Sequence, residues 1–122
     1  MKEELIKFET AKLAKEKKFN EIVKTAYGKS EESLYESNCT NKNSKNTFLS
    51  APTQSLLQKW LREVHNIHVY VTPESISKEN EAYFFHIWGD EVRQHFRGVF
   101  GKKYEETLEF GLQEALKLIK TK

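Results

Sequence analysis

Apolar residues recur with a helical period from Leu56 to Val64 and then, almost without a gap, alternate from Ile67 to Val71. Leu56, Leu57, Trp60, Leu61 and Val64 fall at spacings of one, three, one and three, which gathers them on one stripe, while Gln58, Lys59, Arg62 and Glu63 cover the rest. This predicts a helix over residues 53–65. Pro52 suits its first turn, because a proline φ is already helical and its missing N–H has no partner there. Asn66 tolerates the left-handed conformation that ends a helix. Beyond it Ile67, Val69 and Val71 share one side of a strand and His68 and Tyr70 the other, with Thr72-Pro73 expected to stop it.

The run Ala82-Tyr83-Phe84-Phe85-His86-Ile87-Trp88 is dense in strand formers, ends at Gly89-Asp90, and is expected to pair antiparallel with residues 67–71. Val92, Gln94 and Phe96 alternate, so residues 91–100 read as a third strand returning from the Gly89 turn. Tyr104, Leu108, Gly111, Leu112, Ala115, Leu116 and Ile119 recur every three or four residues and predict a helix over 104–120. Its first turn carries Glu105 and Glu106 and its end Lys117 and Lys120, which complements the helix dipole. A glycine at position 111 costs about 1 kcal/mol relative to Ala, so its expected use is to admit a ring or another backbone.

Toward the N-terminus, residues 8–17 read as a short helix with Glu9 or Thr10 as cap and Phe8 set to staple against Leu13. Phe19 is placed to fold back over Leu13 or Ala14, although Lys18 is a poor residue for the left-handed position that such a turn needs. Residues 21–27 fit a helical stripe and a strand equally well. The polar stretch 28–47 reads as an excursion outside the core, with a brief strand at 33–37. The resulting fold is α+β in a single domain over 1–122: a small antiparallel sheet packed on one face by two amphipathic helices, with a short N-terminal helix.

Composition narrows the function. The chain has 122 residues, enough for one core. Two Trp, five Tyr and eight Phe argue against disorder although 31% of residues are charged. A net charge of +2 implies neither duplex DNA nor an anionic membrane as partner. Cys39 stands alone, so no internal disulfide or cysteine metal knuckle can form. No apolar run approaches the roughly 20 residues that span a bilayer, and Lys2, Glu3 and Glu4 stand where a secretory signal needs apolar residues. A cytoplasmic protein without a membrane partner is expected.

No motif carries catalysis, metal binding or a cofactor. His65 and His68 lack a carboxylate at zinc-site spacing, and no nucleophile elbow accompanies the Ser, His and Asp residues present. Arg93, His95, Arg97, Lys102 and Lys103, with Phe96 and Phe100 between them, have the basic and aromatic character of nucleic-acid modules, though a solvated loop face is the commoner cause. The sharper signal is an asymmetry in the sheet. If Ile67, Val69 and Val71 face the helices with Tyr83, Phe85 and Ile87, the opposite face carries His68, Tyr70, Phe84, His86 and Trp88, which is unusually aromatic for solvent. Three covers suggest themselves: the N-terminal segment through Phe8, Leu13 and Phe19; a second copy of the chain; or bases or a partner chain stacked on it, with Arg93 and Arg97 as the nearby cations.

Three blocks, residues 8–17, 51–63 and 104–116, together resemble a family of small phage and prophage proteins common in Bacteroides-type gut bacteria. The resemblance implies a mobile-element origin and brings no catalytic residues, since no activity is established for that family. The chain departs from it at Lys18, where a glycine is expected, and at Thr107, where alanine is usual. The expected function is that of a non-catalytic accessory protein that binds another macromolecule, either a protein partner or itself as a homodimer. The alternatives are a single-stranded nucleic-acid module and a small enzyme whose site the sequence does not display.

Overall fold

The central helix, α2 (Gln54–His65), starts at Thr53, whose hydroxyl accepts a hydrogen bond from the Leu56 N–H at 3.2 Å. Pro52 therefore lies outside the first turn, and its carbonyl accepts the Ile6 N–H instead. Leu57, Trp60 and Leu61 are buried as the stripe requires, but Val64 is 56% exposed and Gln54 takes a buried place. α2 packs against β4 (Ile67–Ser75) and α3 (Tyr104–Leu118). Asn66 ends α2 at φ 53°, ψ 39°, its N–H bonded to the Leu61 carbonyl.

The computed structural model describes residues 4–28, 34–40, 48–75, 81–89, 92–101 and 103–119. Its α+β architecture contains α1 (Phe8–Glu16), β1 (Val23–Tyr27), β2 (Leu34–Thr40) and β3 (Leu49–Ser50), followed by α2, β4, β5 (Glu81–Gly89), β6 (Val92–Gly101) and α3. One antiparallel sheet has the order β4-β5-β6 and is packed on one face by α2 and α3, as the periodicity predicts. β4 runs past Thr72-Pro73 to Ser75, because it is an edge strand, where a residue without an N–H is tolerated. A second antiparallel sheet, β2-β1-β3, resolves the ambiguity at 21–27 in favour of a strand. It also shows that the stretch 28–47 is not wholly an excursion: the predicted brief strand is the seven-residue β2, paired through Thr25–Glu36, Ala26–Tyr35 and Tyr27–Leu34. The rest of that stretch, residues 29–33 and 41–47, lies outside the described residues.

α3 packs against β4, β5 and β6 and also against α1 and α2. That explains why Thr107, Leu108, Glu109, Gly111, Leu112, Ala115 and Leu116 are all buried on it. The missing side chain of Gly111 is used as expected, since a Cβ there would stand 3.0 Å from the Phe85 Cβ. Gly89 is more constrained, because a Cβ would fall 2.1 Å from the Asn66 carbonyl oxygen, so the start of β4 and the end of β5 can meet only around a glycine. Thr107 keeps its place in the helix by donating its hydroxyl to the Lys103 carbonyl at 2.9 Å.

α1 differs from its sequence reading at both ends. Its N-cap is Lys7, which makes no side-chain cap, rather than Glu9 or Thr10, and Phe8 is already inside the helix. At the other end Lys18 adopts φ 67° despite its Cβ, with the Lys18 N–H bonded to the Lys15 carbonyl and the Phe19 N–H to that of Ala14. These are the two bonds of a Schellman turn. Phe19 then packs edge-on against Trp60, at 5.2 Å between ring centroids, so burial of the ring stabilises the strained residue before it. Lys18→Gly is accordingly expected to raise stability by about 1 kcal/mol, as the left-handed penalty is removed. A melting temperature that stays put or falls would show that the lysine side chain offsets its own backbone strain.

Candidate aromatic face of the sheet

Strand register decides which side chains meet. Val69 pairs with Ile87 and Val71 with Phe85 on the face turned to the helices, where Val69, Ile87 and Phe85 are buried. In the alternate row His68 pairs with Trp88, Tyr70 with His86 and Thr72 with Phe84. Cross-strand partners share a face. All five side chains predicted for the outer face of β4 and β5 (His68, Tyr70, Phe84, His86 and Trp88) are thus brought together there.

The rings form a ladder. His68 and Trp88 stack with centroids 5.0 Å apart and planes 14° from parallel, and Tyr70 and His86 stack at 4.7 Å and 10°. A hydrogen bond of 2.7 Å joins the Thr72 hydroxyl to His86 Nε2. His86 is buried beneath this arrangement, but Trp88 keeps 49% and Tyr70 39% of its surface exposed. Each stacked ring spends one π-face on its neighbour, and such pairs are worth about 0.5–1.5 kcal/mol beyond their burial.

The N-terminal segment does not provide the cover that the sequence offered for this face. Phe8 meets Tyr27 edge-on at 5.5 Å and Phe19 meets Trp60, while Leu13 packs against the main core and α1 as a whole lies on α3 and β3. Of the basic and aromatic cluster at 93–103, the backbone register places Phe96 opposite Ile87 and Arg97 opposite His86, and Arg93 follows the Gly89–Val92 pair; Lys102 lies outside the described residues.

A second feature escaped the sequence reading: a buried polar node under a cleft of about 360 Å³ between the N-terminal segment and the starts of α2 and α3. Glu109, only 4% exposed, accepts from the Lys7 N–H at 2.8 Å and from the Thr10 hydroxyl on Oε2, and from Gln54 Nε2 at 3.0 Å on Oε1. Gln54 also donates to the Glu105 carbonyl at 2.9 Å, and Gln113 to the Thr10 hydroxyl at the same distance. The signal was present in the spacing: Glu109 lies three residues before Leu112 and seven before Leu116, on the apolar stripe itself. Both carboxylate oxygens are engaged by donors from α1 and α2, which makes the node a staple between three helices.

Among the described residues no group of three or more His, Cys, Asp or Glu is arranged to hold a metal ion. Nor is any helix among them long and apolar enough to cross a membrane. No protein-family model matches the chain, and no curated protein or solved structure matches it.

Proposed function

We propose that the protein is a non-catalytic binding module that holds another macromolecule against the outer face of β4–β6. The observation that carries this reading is the aromatic ladder, with Trp88 and Tyr70 substantially exposed on the face opposite α2 and α3. Exposed rings of this size contribute large contact area at low entropic cost, and they are enriched where proteins bind partners. An accessory role in a phage or prophage, acting in the cytoplasm, is the setting we propose, in keeping with the resemblance of the helical blocks. The cleft above Glu109 supports an enzyme less well, because its buried carboxylate is committed to three donors.

A double variant, Tyr70→Ser with Trp88→Ser, separates binding from folding. Its melting temperature is expected to stay within a few degrees of the wild type, since both side chains are partly solvated already. Association is expected to be lost, whether read as self-association by sedimentation, as oligonucleotide binding, or as cross-linking to a purified partner protein. A wild type and double variant that behave alike in all three assays would sink the reading.

A further inference from the structure

We infer that Gln58 is an edge guard: from α2 its side chain closes the free edge of β4 to strand addition, so that copies of the chain do not join sheet to sheet. Among the described residues β4 has β5 on one side and no strand on the other. In an antiparallel ladder each residue turns its N–H and C=O together, toward the partner strand at one position and away from it at the next. Two observations fix which positions of β4 turn away from β5. Gln58 Nε2 donates to the Val69 carbonyl at 2.8 Å, so that carbonyl is met from a helix. Pro73 has no N–H, yet it stands opposite Tyr83 in a register that runs without a shift from Ile67 to Ser75, as it can where no ladder N–H is needed. Val69 and Pro73 are an even number of residues apart, so both observations select the same set, and Val69, Val71 and Pro73 present the backbone of the free edge.

That edge has little left to offer. A strand added there would bring its own N–H to the Val69 carbonyl, and the Gln58 amide already stands in that place. At Pro73 it would find no donor. Of these positions only Val71 keeps both groups, and one residue makes one hydrogen-bonded pair. The consequence follows from the ends of the sheet, which are β4 and β6. An exposed edge is a template for another chain, and β4 of one copy laid on β6 of the next would not close but would continue into filaments. Guarding β4 alone removes that open-ended mode. The guard acts whatever the aromatic face holds.

Gln58→Ala with Pro73→Val removes both obstacles, whereas Gln58→Lys keeps a donor long enough to reach the carbonyl. Gln58 is half-buried and Pro73 exposed, so the changes are expected to leave the melting temperature within a few degrees of the wild type. Should the double variant melt early, Gln58→Ala alone carries the same test, since alanine is the strongest helix former. Sedimentation over a concentration series, combined with amide hydrogen exchange at Val71, reads the edge itself. In the wild type and in Gln58→Lys the Val71 amide is expected to exchange at a rate independent of protein concentration. The unguarded variant is expected to associate at a concentration about tenfold lower than the wild type, with Val71 exchange slowing as concentration rises. That association should persist when Tyr70→Ser and Trp88→Ser are added. An unguarded variant that sediments as the wild type does, with Val71 exchange unchanged, overturns the proposal. So does association that the ring substitutions abolish, or a wild-type Val71 amide already protected by rising concentration.

Discussion

Trp60→Ala is expected to lower stability by about 3–5 kcal/mol, whereas Trp88→Ala should change it by no more than about 1 kcal/mol. The two tryptophans differ in what surrounds them. Trp60 is 3% exposed, meets Phe19 at 5.2 Å and His65 at 4.7 Å, and lies in the same core as Leu57, Leu61 and the buried face of α3. Truncation there removes the ring on which Phe19 closes the end of α1, so the Schellman turn at Lys18 loses its anchor as well. Against the roughly 5–15 kcal/mol available to a domain of this size, the loss should lower Tm by about 10–20 °C. Trp88, half exposed, gives up little on truncation beyond its stack with His68. Thermal melts of the two variants side by side decide the matter. Equal effects would mean either that Trp88 is built into the core or that Trp60 is not.

That contrast was legible because it depends on local period. The stripe of α2 and the alternation of β4 are separated by one residue, Asn66, and strict alternation in β4 and β5 leaves each side chain only one of two faces. What escaped was set by partners distant in sequence. Lys7 begins α1 without a side-chain cap, and its own N–H is accepted by Glu109 from 102 residues away. Lys18 can be left-handed because Phe19 is held by Trp60. Strand β2, polar in sequence and at the edge of its sheet, shows little of the apolar alternation that marks β4 and β5. Val64 failed in the opposite sense: it belongs to the stripe by spacing, but α2 does not bury it.

Glu109→Leu should be comparably damaging, at about 3–5 kcal/mol, despite placing an apolar residue of similar volume on an apolar stripe. The reason is the number of donors left behind. The Lys7 N–H, the Thr10 hydroxyl and one amide N–H of Gln54 all point at the carboxylate, and each buried donor without an acceptor costs about 1–3 kcal/mol. Thr10 alone can adjust, by turning its hydroxyl, which already accepts from Gln113. Glu109→Gln should therefore cost less, about 2 kcal/mol, because it keeps one acceptor oxygen while its new NH₂ faces a donor that cannot turn. Hydrogen exchange should report the damage at the start of α1 first, where the backbone bond to Glu109 is lost, before the sheet loosens. The sign of the effect also bears on function. A carboxylate held for chemistry is commonly a cost to the fold, and removing it stabilises. If Glu109→Leu or Glu109→Gln raises the melting temperature, the cleft above α3 displaces the aromatic face as the functional site; if both lower it in the order given, Glu109 is a staple.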